Sequence, residues 1–212
     1  MTKVKICGVT NLEDALIVTN VGADFIGFNF WPQSPRKISE RNCKEIVLKL
    51  PPFITPVGVF VDEDIEQLKK IAKKCSLKAV QLHGSETPDY CQKVSSETSL
   101  PVIKAFRIEN EGSIEAIRPF LEAVNYLLLD AFVPGEPGGT GEVFNWDIAL
   151  KAKDFNKPFF LAGGLTPENI GEAISKVAPF AVDVASGVER LPRRKDYDKV
   201  NKFVRTARGL KT

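Results

Sequence analysis

Eight short apolar runs punctuate the chain, at 3–9, 25–30, 55–61, 79–83, 101–107, 126–131, 159–162 and 181–185. Each is rich in Val, Ile, Leu or Phe, the composition of parallel strands covered on both faces. Amphipathic segments fill the intervals. Ile170, Ala173, Ile174 and Val177 follow the i, i+3, i+4, i+7 spacing of a helix with one buried stripe, and Ile65, Leu68 and Ala72 repeat that spacing earlier. Helix starts carry chemical marks. Thr10 with Glu13 reads as a capping box. Thr87-Pro88 and Thr166-Pro167 each set a cap ahead of a proline at the first helical position.

Strand followed by helix, eight times without a break, predicts an α/β fold: a single (β/α)8 TIM barrel closed by eight parallel strands. A doubly wound open sheet is the alternative. It usually has fewer strands and a glycine-rich first βα turn, and Cys7-Gly8-Val9 does not supply that turn. Residues 1–212 read as one catalytic domain with no linker. Barrels of this kind run to about 250 residues, so the loops here must be short. The longest insertion, 133–145, follows the sixth strand.

Composition narrows the partners. A chain that is 43% hydrophobic can bury one sizeable core. Lys and Arg number 29 against 27 Asp and Glu, a net charge of +2 with no basic block, so nothing points to nucleic acid. The first residues contain no apolar stretch of signal-peptide length. No run approaches the ~18 apolar residues of a membrane span. Cys7, Cys43, Cys75 and Cys91 show neither CxxC nor paired spacing, and with a single histidine they form no familiar zinc site. A reduced, cytoplasmic protein with no metal is the expectation.

In this architecture chemistry gathers at the C-terminal ends of the strands. Those ends carry Cys7, Asn29, His83, Arg107, Asp130, Gly163-Gly164 and Ser186-Gly187. Gly163, Gly164, Ser186 and Gly187 follow the seventh and eighth strands, where such barrels commonly cradle phosphate with backbone N–H groups. A phosphorylated small molecule is therefore the expected substrate. Cys43, Cys75 and Cys91 fall on helical stretches and read as small buried side chains. Cys7 ends a strand, and Lys5 shares its strand face, so a nearby cation is expected to favour the thiolate, as nucleophile or general base. Asp130 follows four apolar residues, and desolvation there would make it a proton donor, unless it caps a helix. Arg36, in the loop after the second strand, is suited to a carboxylate, or else is merely solvated. Asp183 and Lys5 are expected to meet where the eighth strand closes on the first.

Those residues, with Lys5-Ile6-Cys7-Gly8, Gly27-Phe28-Asn29-Phe30, Ser34-Pro35-Arg36, Gln81-Leu82-His83-Gly84, Gly138-Gly139-Thr140-Gly141, Leu161 to Leu165 and Val184 to Glu189, cover nearly the whole chain in order. Together they resemble the phosphoribosylanthranilate isomerases of tryptophan biosynthesis. The resemblance implies an Amadori rearrangement using neither cofactor nor metal. It makes Asp130 the acid that opens the furanose, Cys7 the base that takes the proton from ribose C2, and Arg36 the holder of the anthranilate carboxylate. Lys5, His83 and Asp183 fall among the substrate-side residues, and family members are monomers or homodimers. Two positions depart from the family pattern. Asn145 precedes Trp146 where Asp is usual, which is expected to loosen a loop contact. Pro192-Arg193-Arg194 stands where Pro-Gly is usual, adding charge and stiffening a turn near the phosphate end. A histidine-pathway isomerase would carry aspartate in place of Cys7. A lyase or synthase barrel would need a catalytic lysine–glutamate pair. A catalytically silent metabolite-binding barrel would lack Cys7 or Asp130.

Overall fold

A computed structural model describes residues 1–131 and 146–210. Eight parallel strands close into a barrel in chain order: β1 (Lys3–Cys7), β2 (Phe25–Asn29), β3 (Thr55–Phe60), β4 (Ala79–Leu82), β5 (Val102–Ile108), β6 (Tyr126–Ala131), β7 (Phe159–Leu161) and β8 (Ala181–Val184). The last strand pairs with the first, with Lys5 opposite Asp183. Helices α1 (Leu12–Asn20), α2 (Glu40–Val47), α3 (Ile65–Lys74), α4 (Pro88–Thr98), α5 (Glu111–Glu115), α6 (Trp146–Lys151), α7 (Ile170–Val177) and α8 (Tyr197–Ala207) follow the strands in turn. A small hairpin, β9 (Glu189–Leu191) with β10 (Arg194–Lys195), intervenes before α8. The expected barrel and its strand positions are present.

Strand alternation divides the core into two layers. Val57, Ala79, Ile103, Ala105, Leu128, Phe160, Ala162 and Ala181 pack together inside the barrel. Phe25, Tyr126 and Phe180 join them, with Tyr126 stacked on Phe180 at 5.2 Å and Phe25 edge-on to Phe160 at 5.3 Å. Fully buried side chains of this size each contribute about 1.5–3 kcal/mol. The aromatic plug fills the N-terminal part of the lumen and leaves polar chemistry to the opposite end. Residues such as Val4, Ile6, Ile26, Phe28, Val80, Leu82, Leu127 and Leu129 face outward onto the helices.

Two helix starts differ from the sequence expectation. Asn11 caps α1 by accepting from the Asp14 N–H at 2.9 Å. Thr10 instead donates its hydroxyl to the Arg193 carbonyl, a contact 183 residues distant that local pattern cannot reveal. After Thr166-Pro167 the chain makes a turn, and α7 begins only at Ile170. Thr87 caps α4 with Pro88 in its first turn, as expected. Cys43, Cys75 and Cys91 are buried. Among the described residues, no helix is long and apolar enough to cross a membrane.

A buried ion pair ties the loops after β3 and β4 to β5. Lys104 Nζ lies 3.1 Å from Glu86 and donates to the Gly84 carbonyl at 2.8 Å. Glu86 in turn accepts from the N–H groups of Asp62 and Gly84. The acidic residue after the Gln81-Leu82-His83-Gly84 motif is thus an internal brace.

Candidate active site

Alternation along β1 turns Lys5 and Cys7 into the barrel together. Lys5 has no exposed surface, and its Nζ lies 2.8 Å from Asp183 on β8. Across β2, Gly27 stands opposite Cys7 in register. A Cβ there would lie 2.7 Å from Cys7 Sγ and 3.2 Å from Lys5 Nζ, so glycine makes the room in which thiol and ammonium meet. Burial alone would pull the Lys5 ammonium down, but Asp183 and Cys7 outweigh it and the net direction is up.

Cys7 corrects the expectation that its cation makes it a ready thiolate. Burial is the largest influence and pushes the thiol above its ordinary value. Lys5 and Lys195 pull downward, but Asp183 adds its negative charge on the opposing side. Lys5 is shared between a carboxylate and a thiol, which a spacing of two residues does not disclose.

A second cluster borders the thiol. Arg36 holds Glu189 through two hydrogen bonds, Nε to Oε1 at 2.8 Å and Nη2 to Oε2 at 2.7 Å. Lys195, also without exposed surface, reaches Glu189 at 3.1 Å and the Ala185 carbonyl at 2.9 Å. Burial holds the Lys195 ammonium below its ordinary value, against the pull of Glu189. Gly8, at φ +75°, lets the chain pass beside Arg36, because a Cβ there would run into the arginine stem. Arg36 is therefore anchored rather than solvated, with Nη1 free of any partner among the described residues.

Across the lumen, β4 and β6 contribute a polar line. Gln81 and His83 share the inner face of β4 and the segment leaving it. Gln81 Nε2 lies 2.9 Å from His83 Nδ1, and His83 Nε2 lies 3.3 Å from Asp130 Oδ2 at the end of β6. Asp130 is 29% exposed, so it faces the mouth rather than sitting desolvated as its apolar strand implied. Arg107, next to last in β5, stands beside it in register and is exposed.

The rim after β7 and β8 is built of backbone. Gly163 and Gly164 adopt φ of +87° and +61°, which glycine tolerates. Their N–H groups donate to no described residue. Asn169 fastens this turn, donating to the Gly164 carbonyl at 2.9 Å and accepting from the Thr166 N–H at 2.8 Å. Ser186 and Gly187 start a 3-10 turn running to Val188. A Cβ at Gly187 would collide with the Leu165 carbonyl, so the two rim loops touch through this glycine. Such a rim of glycine N–H groups can receive a phosphate.

The structure therefore gathers Lys5, Cys7, Arg36 and Asp183 on one side of the mouth and His83 with Asp130 on the other. Gly138-Gly139-Thr140-Gly141 and Asn145 lie outside the described residues. Sequence reasoning missed Gln81, Gly27, Glu189 and Lys195 as site builders. Gln81, Gly27 and Glu189 stood inside the quoted motifs, and that was the available signal. The Pro192-Arg193-Arg194 turn meets the loop after β1, since the Arg193 carbonyl accepts from Thr10 and Asn11.

The sequence model of a family described as N-(5'phosphoribosyl)anthranilate (PRA) isomerase matches residues 4–206. An N-(5'-phosphoribosyl)anthranilate isomerase of Trichlorobacter lovleyi is 48% identical over 208 residues, 98% of each chain. The crystal structure of the phosphoribosyl anthranilate isomerase of Thermotoga maritima superposes with a TM-score of 0.93 at 44% identity, covering 99% of this chain and 100% of that one. Another isomerase structure, in complex with reduced 1-(o-carboxyphenylamino)-1-deoxyribulose 5-phosphate, gives 0.89 at 43% identity with the same coverage.

Proposed function

The chain belongs to the family of N-(5'-phosphoribosyl)anthranilate isomerases, and from that membership we propose which residues perform its reaction and how. The reaction is the Amadori rearrangement of N-(5-phosphoribosyl)anthranilate to 1-(2-carboxyphenylamino)-1-deoxyribulose 5-phosphate, an aldose–ketose isomerisation in tryptophan biosynthesis. Asp130 donates a proton to the furanose ring oxygen as the C1–O bond breaks. The anilino nitrogen lone pair forms the C1=N bond of a Schiff-base cation. That cation acidifies the C2–H, and the Cys7 thiolate removes it. The electron pair forms C1=C2, giving an enolamine that tautomerises to the ketone as a proton returns to C1. The observation that carries this reading is the placement of Cys7 and Asp130 on opposite walls of one lumen, at the same end of the barrel.

The supporting residues follow from their contacts. Lys5 offers a fixed ammonium to the thiolate, and Asp183 holds that ammonium in place. Arg36, steadied by Glu189, offers its remaining N–H groups to the anthranilate carboxylate. Gly163, Gly164, Ser186 and Gly187 receive the 5-phosphate on backbone N–H groups. His83 supports Asp130.

We place all of this in one catalytic barrel domain spanning residues 1–212, and the four free thiols fit a reducing, cytoplasmic setting. A homodimer is the proposed assembly. Leu48 and Phe53 are exposed at 70% and 69% between α2 and β3, and one similar structure, from Thermotoga maritima, is described as monomers generated from a dimeric isomerase.

The test of the activity follows the fluorescence of phosphoribosylanthranilate as purified protein is added. Protein-dependent loss of the signal is expected. An unchanged signal with well-folded protein overturns the assignment.

A further inference from the structure

We propose that Gln81 is a positioning residue that fixes the tautomer of His83, so that the ring turns Nε2–H toward Asp130. The proposal rests on Asp130 being the acid, as argued above, and explains how that acid is aimed.

Gln81 Nε2 stands 2.9 Å from His83 Nδ1, and an amide nitrogen only donates, so Nδ1 is the acceptor. A neutral imidazole with a bare lone pair on Nδ1 carries its hydrogen on Nε2. Nε2 faces Asp130 Oδ2 at 3.3 Å, an oxygen that can accept from it. Both contacts are satisfied by one neutral ring, with no charge required.

Gln81 is held for this contact. It is 1% exposed inside a barrel whose neighbouring interior positions are apolar. Its Oε1 is buried without a partner among the described residues. A buried amide left half-satisfied costs stability, and an apolar side chain would avoid that cost. Among the described residues the ring nitrogen is the one hydrogen-bond partner of its side chain.

The consequence for the acid is directional. With Oδ2 occupied by His83 Nε2–H, the proton of Asp130 is left to Oδ1, which has no partner among the described residues and can meet the substrate. When that proton leaves, the His83 N–H already points at the carboxylate that forms. The hydrogen bond strengthens as charge develops, which favours the transition state over the ground state.

The chain has one histidine, so its ring resonances need no assignment. Long-range proton–nitrogen spectra of nitrogen-15-labelled protein at neutral pH are expected to show a pyrrole-like Nε2 and a pyridine-like Nδ1. A ring protonated on Nδ1, or on both nitrogens, overturns the proposal whatever the activity. In Gln81→Glu an acceptor replaces the donor, and Nδ1 is expected to become protonated. In Gln81→Met the fixed tautomer is expected to be lost. Both variants should lower kcat at least about tenfold with KM within about threefold, since the substrate contacts remain. Unaltered kcat in a folded variant with an altered tautomer also overturns it. Wild-type protein with the expected tautomer but no isomerase activity overturns the functional assignment instead.

Discussion

Arg36 grips Glu189 with two hydrogen bonds of 2.8 and 2.7 Å across 153 residues of sequence. The contact joins the loop after β2 to the hairpin after β8 and leaves one edge of the guanidinium to a ligand. A charge-assisted hydrogen bond contributes about 1.5–3 kcal/mol, so Arg36→Met should raise KM for phosphoribosylanthranilate by roughly tenfold or more, with a smaller change in kcat. Steady-state kinetics decide it. An unaltered KM would return Arg36 to a purely structural role.

Glu189 also governs acid stability. Burial pushes its carboxyl up, but Arg36 and Lys195 outweigh burial and hold it below the usual carboxylate range. A folded-state value below the unfolded one means the stabilisation is present above about pH 4.3 and is lost as pH falls through the folded value. Glu189→Gln should cost about 3 kcal/mol at neutral pH, because Lys195 loses its buried partner. Urea unfolding at pH 7 and pH 4 should show a smaller pH dependence in the variant than in the wild type.

The thiol makes a prediction of opposite sign. With the free thiol near pH 8.5 and Cys7 displaced upward by burial, kcat/KM should still be rising at that pH. Removing the cation in Lys5→Met should carry the rise further alkaline. Cys7→Ala and Asp130→Asn should each lower kcat by about 10²–10⁴ while the urea midpoint stays near that of the wild type. A pH profile already flat at neutrality would mean that Cys7 is not the base.

Arg193 occupies the left-handed region at φ +70°, where the family pattern has glycine. A side chain there costs about 1–2 kcal/mol, partly offset by the freedom glycine gains when unfolded. Arg193→Gly should therefore stabilise the protein by roughly 0.5–1 kcal/mol, read as a higher urea midpoint with an unchanged m-value. The departure from the family thus strains this turn as well as adding charge.

Strand positions were legible because strands buried on both faces read as unbroken apolar runs, and the order of eight such runs led to a barrel. The Lys5–Asp183 pair followed once closure was assumed. What local reading could not reach were contacts made across the chain. Thr10 carries the local pattern of a cap, but its partner, Arg193, lies 183 residues away. The state of Cys7 departs from expectation because spacing shows Lys5 two residues away but not the depth of burial or the negative charge that Asp183 turns on the thiol. Gln81 looked like part of a motif and gained a role only when its distance to His83 was known. The apolar strand before Asp130 suggests burial, yet its exposure is set by the mouth.

The closure of β8 on β1 also orders events in time. Cys7 and Lys5 are synthesised before Asp183, which follows 178 residues after Lys5. An ammonium without its carboxylate is costly to keep in an interior, so the seat for the thiol is not complete until β8 has been synthesised and docked. A translation product stopped short of β8 would carry the reactive side chain without the surroundings that make it a base. Catalytic competence therefore waits on the synthesis and docking of β8.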